Sequence, residues 1–146
     1  MARFMLALLL ATIHLPLDST DKIHFNEDAK SWIDALEHCN KTGSYLVEIL
    51  NNTTWETVNR DLEDETDKME QGAWIGLERS IFALNEITWT WVLNGSLNKS
   101  KKHWREDFPT DEYNHHCGKI IQDKKNGSFM LLDEDCHIKL PFICQT

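Results

Sequence analysis

Ala73-Trp74-Ile75-Gly76-Leu77 is the least polar continuous run outside the N-terminus, and it lies between Cys39 and Cys144. A short apolar run of this kind reads as a strand buried on both faces. Trp74 and Gly76 face one way and Ile75 and Leu77 the other, so each face needs its own cover. Gly76 admits the close approach of another backbone or a large ring.

Upstream, Ile23-His24-Phe25 reads as a short strand, with Asn26, Glu27 and Asp28 as cap and negative first turn of a helix. Ala29, Trp32, Ala35, Leu36 and Cys39 form its apolar stripe, and Gly43 stops it. Trp32 sits on that stripe and is read as core, not as a ligand platform. Tyr45 to Ile49 reads as a strand, and Thr53 to Glu56 has capping-box spacing for a second helix carrying Trp55, Val58 and Leu62. The acidic residues Asp61, Glu63, Asp64, Glu65, Asp67 and Glu70 beyond it read as a solvated face.

Downstream, Ile87, Trp89, Trp91 and Leu93 alternate with Thr88, Thr90 and Val92 as a half-buried strand. Periodicity then vanishes from Asn94 to His116, and so long an irregular segment in a compact domain is usually functional or disordered. Gly118 to Gln122 and Ser128 to Leu132 flank Asn126-Gly127, a hairpin signal. Leu140 to Cys144 forms the last strand, and no linker or repeat marks a second domain.

A chain of 146 residues with 41% hydrophobic residues and six tryptophans is one globular domain. Its formal charge of −9 argues against nucleic acid, because phosphate binding draws on clustered Lys and Arg. After Arg3, the run Phe4 to Ala11 is too short for a membrane span and fits a signal peptide. Residues 1–19 are therefore expected to be a leader, cut near Ser19 or Thr20, and 20–146 a secreted, extracellular domain with no membrane span. In an exported chain the four cysteines are read as disulfides, for which three pairings exist, and no Cys-x-x-Cys spacing supports zinc. Asn40, Asn51, Asn52, Asn94, Asn98 and Asn126 stand in glycosylation sequons.

With Cys39 and Cys144 flanking the central run, Trp89-Thr90-Trp91 after it and Pro141-Phe142-Ile143-Cys144 at the end, the chain resembles the C-type lectin-like domain family from about Ile23 to Cys144. The resemblance implies an α+β fold with two helices, antiparallel sheets and a long irregular loop that bears the ligand site. It also implies the nested pairing, Cys39 with Cys144 and Cys117 with Cys136. In the chain-entropy model an outer bridge closing a loop of about 100 residues stabilises by about 4–5 kcal/mol.

Sugar-binding members of that family hold calcium through carboxylates and amides in the loop and before the second and third of these cysteines. The matching positions here are Phe108 and Thr110 around Pro109, then His115, then Leu131-Leu132-Asp133, so Asp133 alone survives. Calcium takes six to eight oxygens, so no cofactor is expected, and calcium would need a rearranged site using Asp107, Asp111, Glu112 and Asp133. His115 and His116 invite a zinc or catalytic reading, but adjacent histidines in a strand point to opposite faces. No nucleophile elbow, His-Glu-x-x-His or phosphate loop is present, so the chain is not read as an enzyme.

The expectation is a non-catalytic recognition module binding a protein or other ligand without calcium. Phe108, Thr110, Tyr113 and His115 would be exposed on the long loop to do so. The alternative is a lectin, through a rearranged calcium site or through a basic patch of Lys99, Lys101, Lys102, His103 and Arg105 around Trp104 suited to anionic glycans. The ligand's identity and the oligomeric state stay open.

Overall fold

The computed structural model of the protein describes residues 22–79, 89–96 and 103–146. The expected leader, Ile87 and Thr88 of the expected Trp strand, and the sequon Asn98 lie outside the described residues.

The central run is the middle of strand β3 (Ala73–Arg79), and both of its faces are covered. Ile75 and Leu77 pack into one apolar cluster with Val47, Val58, Leu62 and Ile143. Trp74 enters a second cluster with Trp32, Leu46 and Phe142. Gly76 meets a neighbouring backbone: its N–H donates to Val47 O at 2.8 Å, and a Cβ there would lie 2.7 Å from Leu46 O. Trp32 caps β3 from the helix side, its indole Nε1 donating to Ile75 O at 2.9 Å.

Strand β1 (Ile23–Lys30) precedes helix α1 (Trp32–Lys41). Short β2 (Tyr45–Leu46) and helix α2 (Asn52–Leu62) follow. After β3 come β4 (Trp89–Trp91), β5 (Gly95–Ser96), β6 (Cys117–Gln122), β7 (Phe129–Glu134) and β8 (Leu140–Gln145). The sheet runs β1-β8-β3-β4-β5, with β2 on β8 and the β6–β7 hairpin on β3. Among the described strands every pairing is antiparallel except β3 with β8, where Trp74 pairs with Phe142. The parallel contact arises because the C-terminal strand inserts between β1 and the central strand of the otherwise antiparallel sheet. Cys39–Cys144 ties α1 to β8, and Cys117–Cys136 ties β6 to the turn after β7, the nested pattern expected.

Three local expectations are corrected. Asn26, Glu27 and Asp28 do not cap a helix, and Ala29 is not on its stripe. All four lie in β1, where Asn26 pairs with Phe142 and Lys30 with Leu140, because the edge of β8 takes up the backbone in a strand ladder. The cap is Ser31, whose hydroxyl accepts from Asp34 N at 3.3 Å. Helix α2 is capped by Asn51 rather than started at Thr53, since the Asn51 side chain accepts from both Thr54 N and Thr54 Oγ1. The strand expected over Tyr45 to Ile49 is laddered only at Tyr45–Leu46. Beyond it, Glu48 turns its side chain inward. In the hairpin, the turn is longer than two residues: Asp123 N donates to Ser128 O and Gly127 N to Asp123 O, with Gly127 at φ +73. The acidic stretch is partly paired, Lys68 with Glu65 and Glu27, and Lys124 with Glu70.

Candidate functional site

The long loop leaves the core at a buried carboxylate. Glu48 is 2% exposed and accepts from Leu93 N at 2.8 Å, Asn94 N at 3.2 Å and Asn94 Nδ2 at 2.6 Å. A buried carboxylate without such donors would be costly, so this clip fixes where the loop begins. Lys99, Lys101 and Lys102 of the expected basic patch lie outside the described residues.

The loop comes back along β7. Leu131 N donates to His103 O and Arg105 N to Leu131 O, and Trp104 bridges Leu131 in parallel. Trp104 turns inward and stacks on Phe108 with ring centroids 3.5 Å apart, while Trp89 packs against both. His103 stacks on Trp55 at 4.0 Å. Phe108 is therefore half-buried in an aromatic stack and not on an open surface. Its peptide bond to Pro109 is cis. Arg105 does not stand as an unneutralised cation: its Nε and Nη2 meet Asp107 Oδ1 and Oδ2 at 2.5 and 2.7 Å. Those hydrogen bonds from Arg105 hold the Asp107 carboxyl below the usual carboxylate range.

The last part of the loop is wrapped around Asp133, which is 1% exposed. Its carboxylate accepts from Thr110 N at 2.9 Å, Thr110 Oγ1 at 3.0 Å and Asp111 N at 3.0 Å. His115 Nδ1 lies 3.0 Å from Asp133 Oδ2, and an ionised carboxylate can only accept there, so this nitrogen carries the proton. Burial pushes the Asp133 carboxyl up, but the hydrogen bonds from the Thr110 and Asp111 backbone and the Thr110 hydroxyl outweigh it and leave it below its ordinary value. Asp111 in turn accepts from Tyr113 N, Asn114 N and Asn114 Nδ2, the last bond being the main reason its carboxyl also lies low. Arg79 donates to Glu112 O, and His115 Nε2 faces Glu134, which is held by the buried Lys119 at 2.7 Å.

The structure thus brings Thr110, His115 and Asp133 together and leaves Tyr113, 87% exposed, at the surface of the same turn. Glu112 and Asn114 are exposed beside it. In this arrangement the Thr110 hydroxyl donates to Asp133, and the far nitrogen of His115 faces the carboxylate of Glu134. The arrangement fits calcium poorly. The ion needs oxygens that accept, whereas the surviving carboxylate faces N–H and O–H groups, and Leu132 is buried hydrocarbon. Among the described residues no group of three or more His, Cys, Asp or Glu could hold a metal. The backbone donors of Thr110 and Asp111 leave no mark in the sequence. Glu48 does leave one, as the single charge in the apolar run Tyr45 to Ile49, but its partners are not readable there.

Known proteins of similar sequence and fold agree with this architecture. The family described as lectin C-type domain matches residues 28–146. A perlucin-like protein of Mytilus galloprovincialis is 32% identical over 101 residues, 68% of this chain and 60% of that protein, so the match spans less than two thirds of its length. Lithostathine-1-beta of Homo sapiens is 29% identical over 123 residues, 84% of this chain and 69% of that one. The crystal structure of the C-type lectin domain of murine dendritic cell inhibitory receptor 2, in complex with N-glycan, has a TM-score of 0.69 at 22% identity, covering 85% of this chain and 88% of that one.

Proposed function

This chain belongs to the C-type lectin domain family, and we propose that it works as a non-catalytic recognition module that takes its ligand without calcium through the turn Thr110–His115. The observation that carries the reading is the donor shell of Asp133. Thr110 N, Thr110 Oγ1, Asp111 N and His115 Nδ1 hold the carboxylate where a cation would otherwise be needed to hold the loop in place. A calcium ion would have to displace these groups, and among the described residues no group of three or more His, Cys, Asp or Glu could hold it in their place. The ligand-facing surface is then the exposed rim, with Tyr113 as aromatic anchor and Thr110 beside it. Both disulfides and the leader-like N-terminus support an extracellular setting for this module. A glycan is the second reading, favoured by the N-glycan held by the murine structural neighbour.

The test is a screen of the refolded domain against extracellular proteins and glycans in chelator, followed by Tyr113→Ala on whatever binds. Chelator-insensitive binding that Tyr113→Ala weakens tenfold or more, about 1.4 kcal/mol, is the expected result. Binding that chelator abolishes, or that Tyr113→Ala leaves unchanged, contradicts the proposal.

A further inference from the structure

The tripeptide Asn-Gly-Ser occurs twice in the chain, at residues 94–96 and 126–128, and each copy is an acceptor sequence for an N-linked glycan. By exposure and backbone the two are alike. Both asparagines are exposed, and both glycines stand at φ +73. What separates them is which end of the asparagine's side-chain amide the fold has taken into use.

At Asn94 it is the nitrogen. Nδ2 donates at 2.6 Å to Oε1 of Glu48, a carboxylate that is 2% exposed and also accepts from the backbone of Leu93 and Asn94. A glycan is built on this same nitrogen, so it would replace one of its two hydrogens and press a sugar ring against the buried clip. At Asn126 it is the oxygen. Oδ1 accepts from Ser128 N at 2.9 Å and from Ser128 Oγ at 2.6 Å, the turn in which an asparagine side chain bonds the backbone two residues on. Nδ2, at the other end of the same planar amide, makes no hydrogen bond among the described residues. Bonds from Asp123 N to Ser128 O, Gly127 N to Asp123 O and Gln122 Nε2 to Gly127 O close this turn from its own residues. Three further sequons are arranged differently. Asn40 lies in the last turn of α1, where the Thr42 hydroxyl donates to the His38 and Cys39 carbonyls. Asn51 turns its oxygen to Thr54 as the cap of α2, and Asn52 is the first residue of that helix.

We propose that Asn126 carries an N-linked glycan and that Asn94, in the same tripeptide, stays bare because the fold uses its amide nitrogen. The donor is a lipid-diphosphate-linked oligosaccharide. Asn126 Nδ2 forms a bond to the anomeric carbon of its first sugar, the bond from that carbon to the diphosphate oxygen breaks, the lipid diphosphate leaves, and the amide nitrogen gives up one proton. The glycan is rooted at the turn end of the β6–β7 hairpin, about 13 Å along the strands from the Gly118–Asp133 pair. The modification rests on the extracellular setting of the proposed function but not on its ligand, and either can fail without the other.

The test expresses the full chain in eukaryotic cells and recovers it from medium and lysate. Peptide N-glycosidase in heavy-oxygen water then turns each glycosylated asparagine into labelled aspartate, which mass spectrometry locates. Label is expected at Asn126 in most copies and at Asn94 at background only, and Asn126→Gln should remove the corresponding glycan from the intact mass. A second measurement uses the refolded, unglycosylated protein, where sugar plays no part. There Asn94→Ala is expected to lower Tm by a few degrees, since it removes a bond to a buried carboxylate, and Asn126→Ala by less, since its bonds lie in an exposed turn. An unlabelled Asn126, comparable label at Asn94, or an Asn94→Ala protein no less stable than Asn126→Ala would overturn the proposal.

Discussion

The long loop is held at its two ends by buried carboxylates that solve one problem in different ways. At its start, Glu48 accepts, among the described residues, from Leu93 and Asn94, two adjacent residues of a tight turn. At its finish, Asp133 gathers backbone, hydroxyl and imidazole donors from residues 110, 111 and 115. The first clip orders a turn that the strand β4 already brings close. The second orders a segment that has no ladder of its own, and so carries more of the loop's shape. The comparison teaches that Asp133 organises the turn from Thr110 to His115 through the chain's own donors.

The sharpest way to break that contrast is to remove each carboxylate in turn. Asp133→Ala strands the donors of Thr110, Asp111 and His115 and should cost about 3 kcal/mol, read by denaturant melts, with loss of the Tyr113 turn's amide-exchange protection. Replacing Glu48 with Gln puts an NH₂ group against donors of Leu93 or Asn94 and should cost about 1–2 kcal/mol, without changing protection at Thr110. Equal losses, or a larger loss at Glu48, would erase the distinction.

Acid gives a weaker, graded version of the same test. The Asp133 carboxyl is depressed in the folded state, so its contribution is fully present above the unfolded value of about 3.9 and disappears as pH falls through the lower folded one. The stability gap between wild type and Asp133→Asn should therefore be flat above about pH 5 and close below about pH 4. Asp111 and Asp107 shift in the same direction, but Asp107 is exposed and Asp111 only half-buried, so solvent screens what they add. The smallest effect on folding belongs to the rim: Tyr113→Ala should change stability by less than about 0.5 kcal/mol, measured by the same melts, because the ring is exposed.

What could be read from the sequence follows the range of the forces involved. The central strand was legible because Trp74 and Ile75 demand burial on opposite faces whatever their neighbours are. The two-helix, two-disulfide frame was legible through the resemblance that the cysteines and tryptophans carry. The start of α1 was misread because Asn26 to Asp28 have cap chemistry but lie opposite β8, and pairing with a strand more than a hundred residues away outranks a local preference. Asp133 stood out as a lone survivor of an ion-binding pattern, yet its partners did not, since backbone N–H groups are the same in every sequence. Phe108 was read as exposed because its stack on Trp104 depends on how the loop folds back along β7.

The measurement that bears most directly on the account is calorimetric titration of calcium into the oxidised, metal-free domain, with thermal melting alongside. The donor shell of Asp133 predicts no binding heat and no shift in Tm at millimolar calcium, with Thr110 and His115 amide signals unmoved. Saturable heat accompanied by a rise in Tm and by shifts at Thr110, Asp111 and His115 would contradict it, and would mean that the ion can displace the groups now holding Asp133.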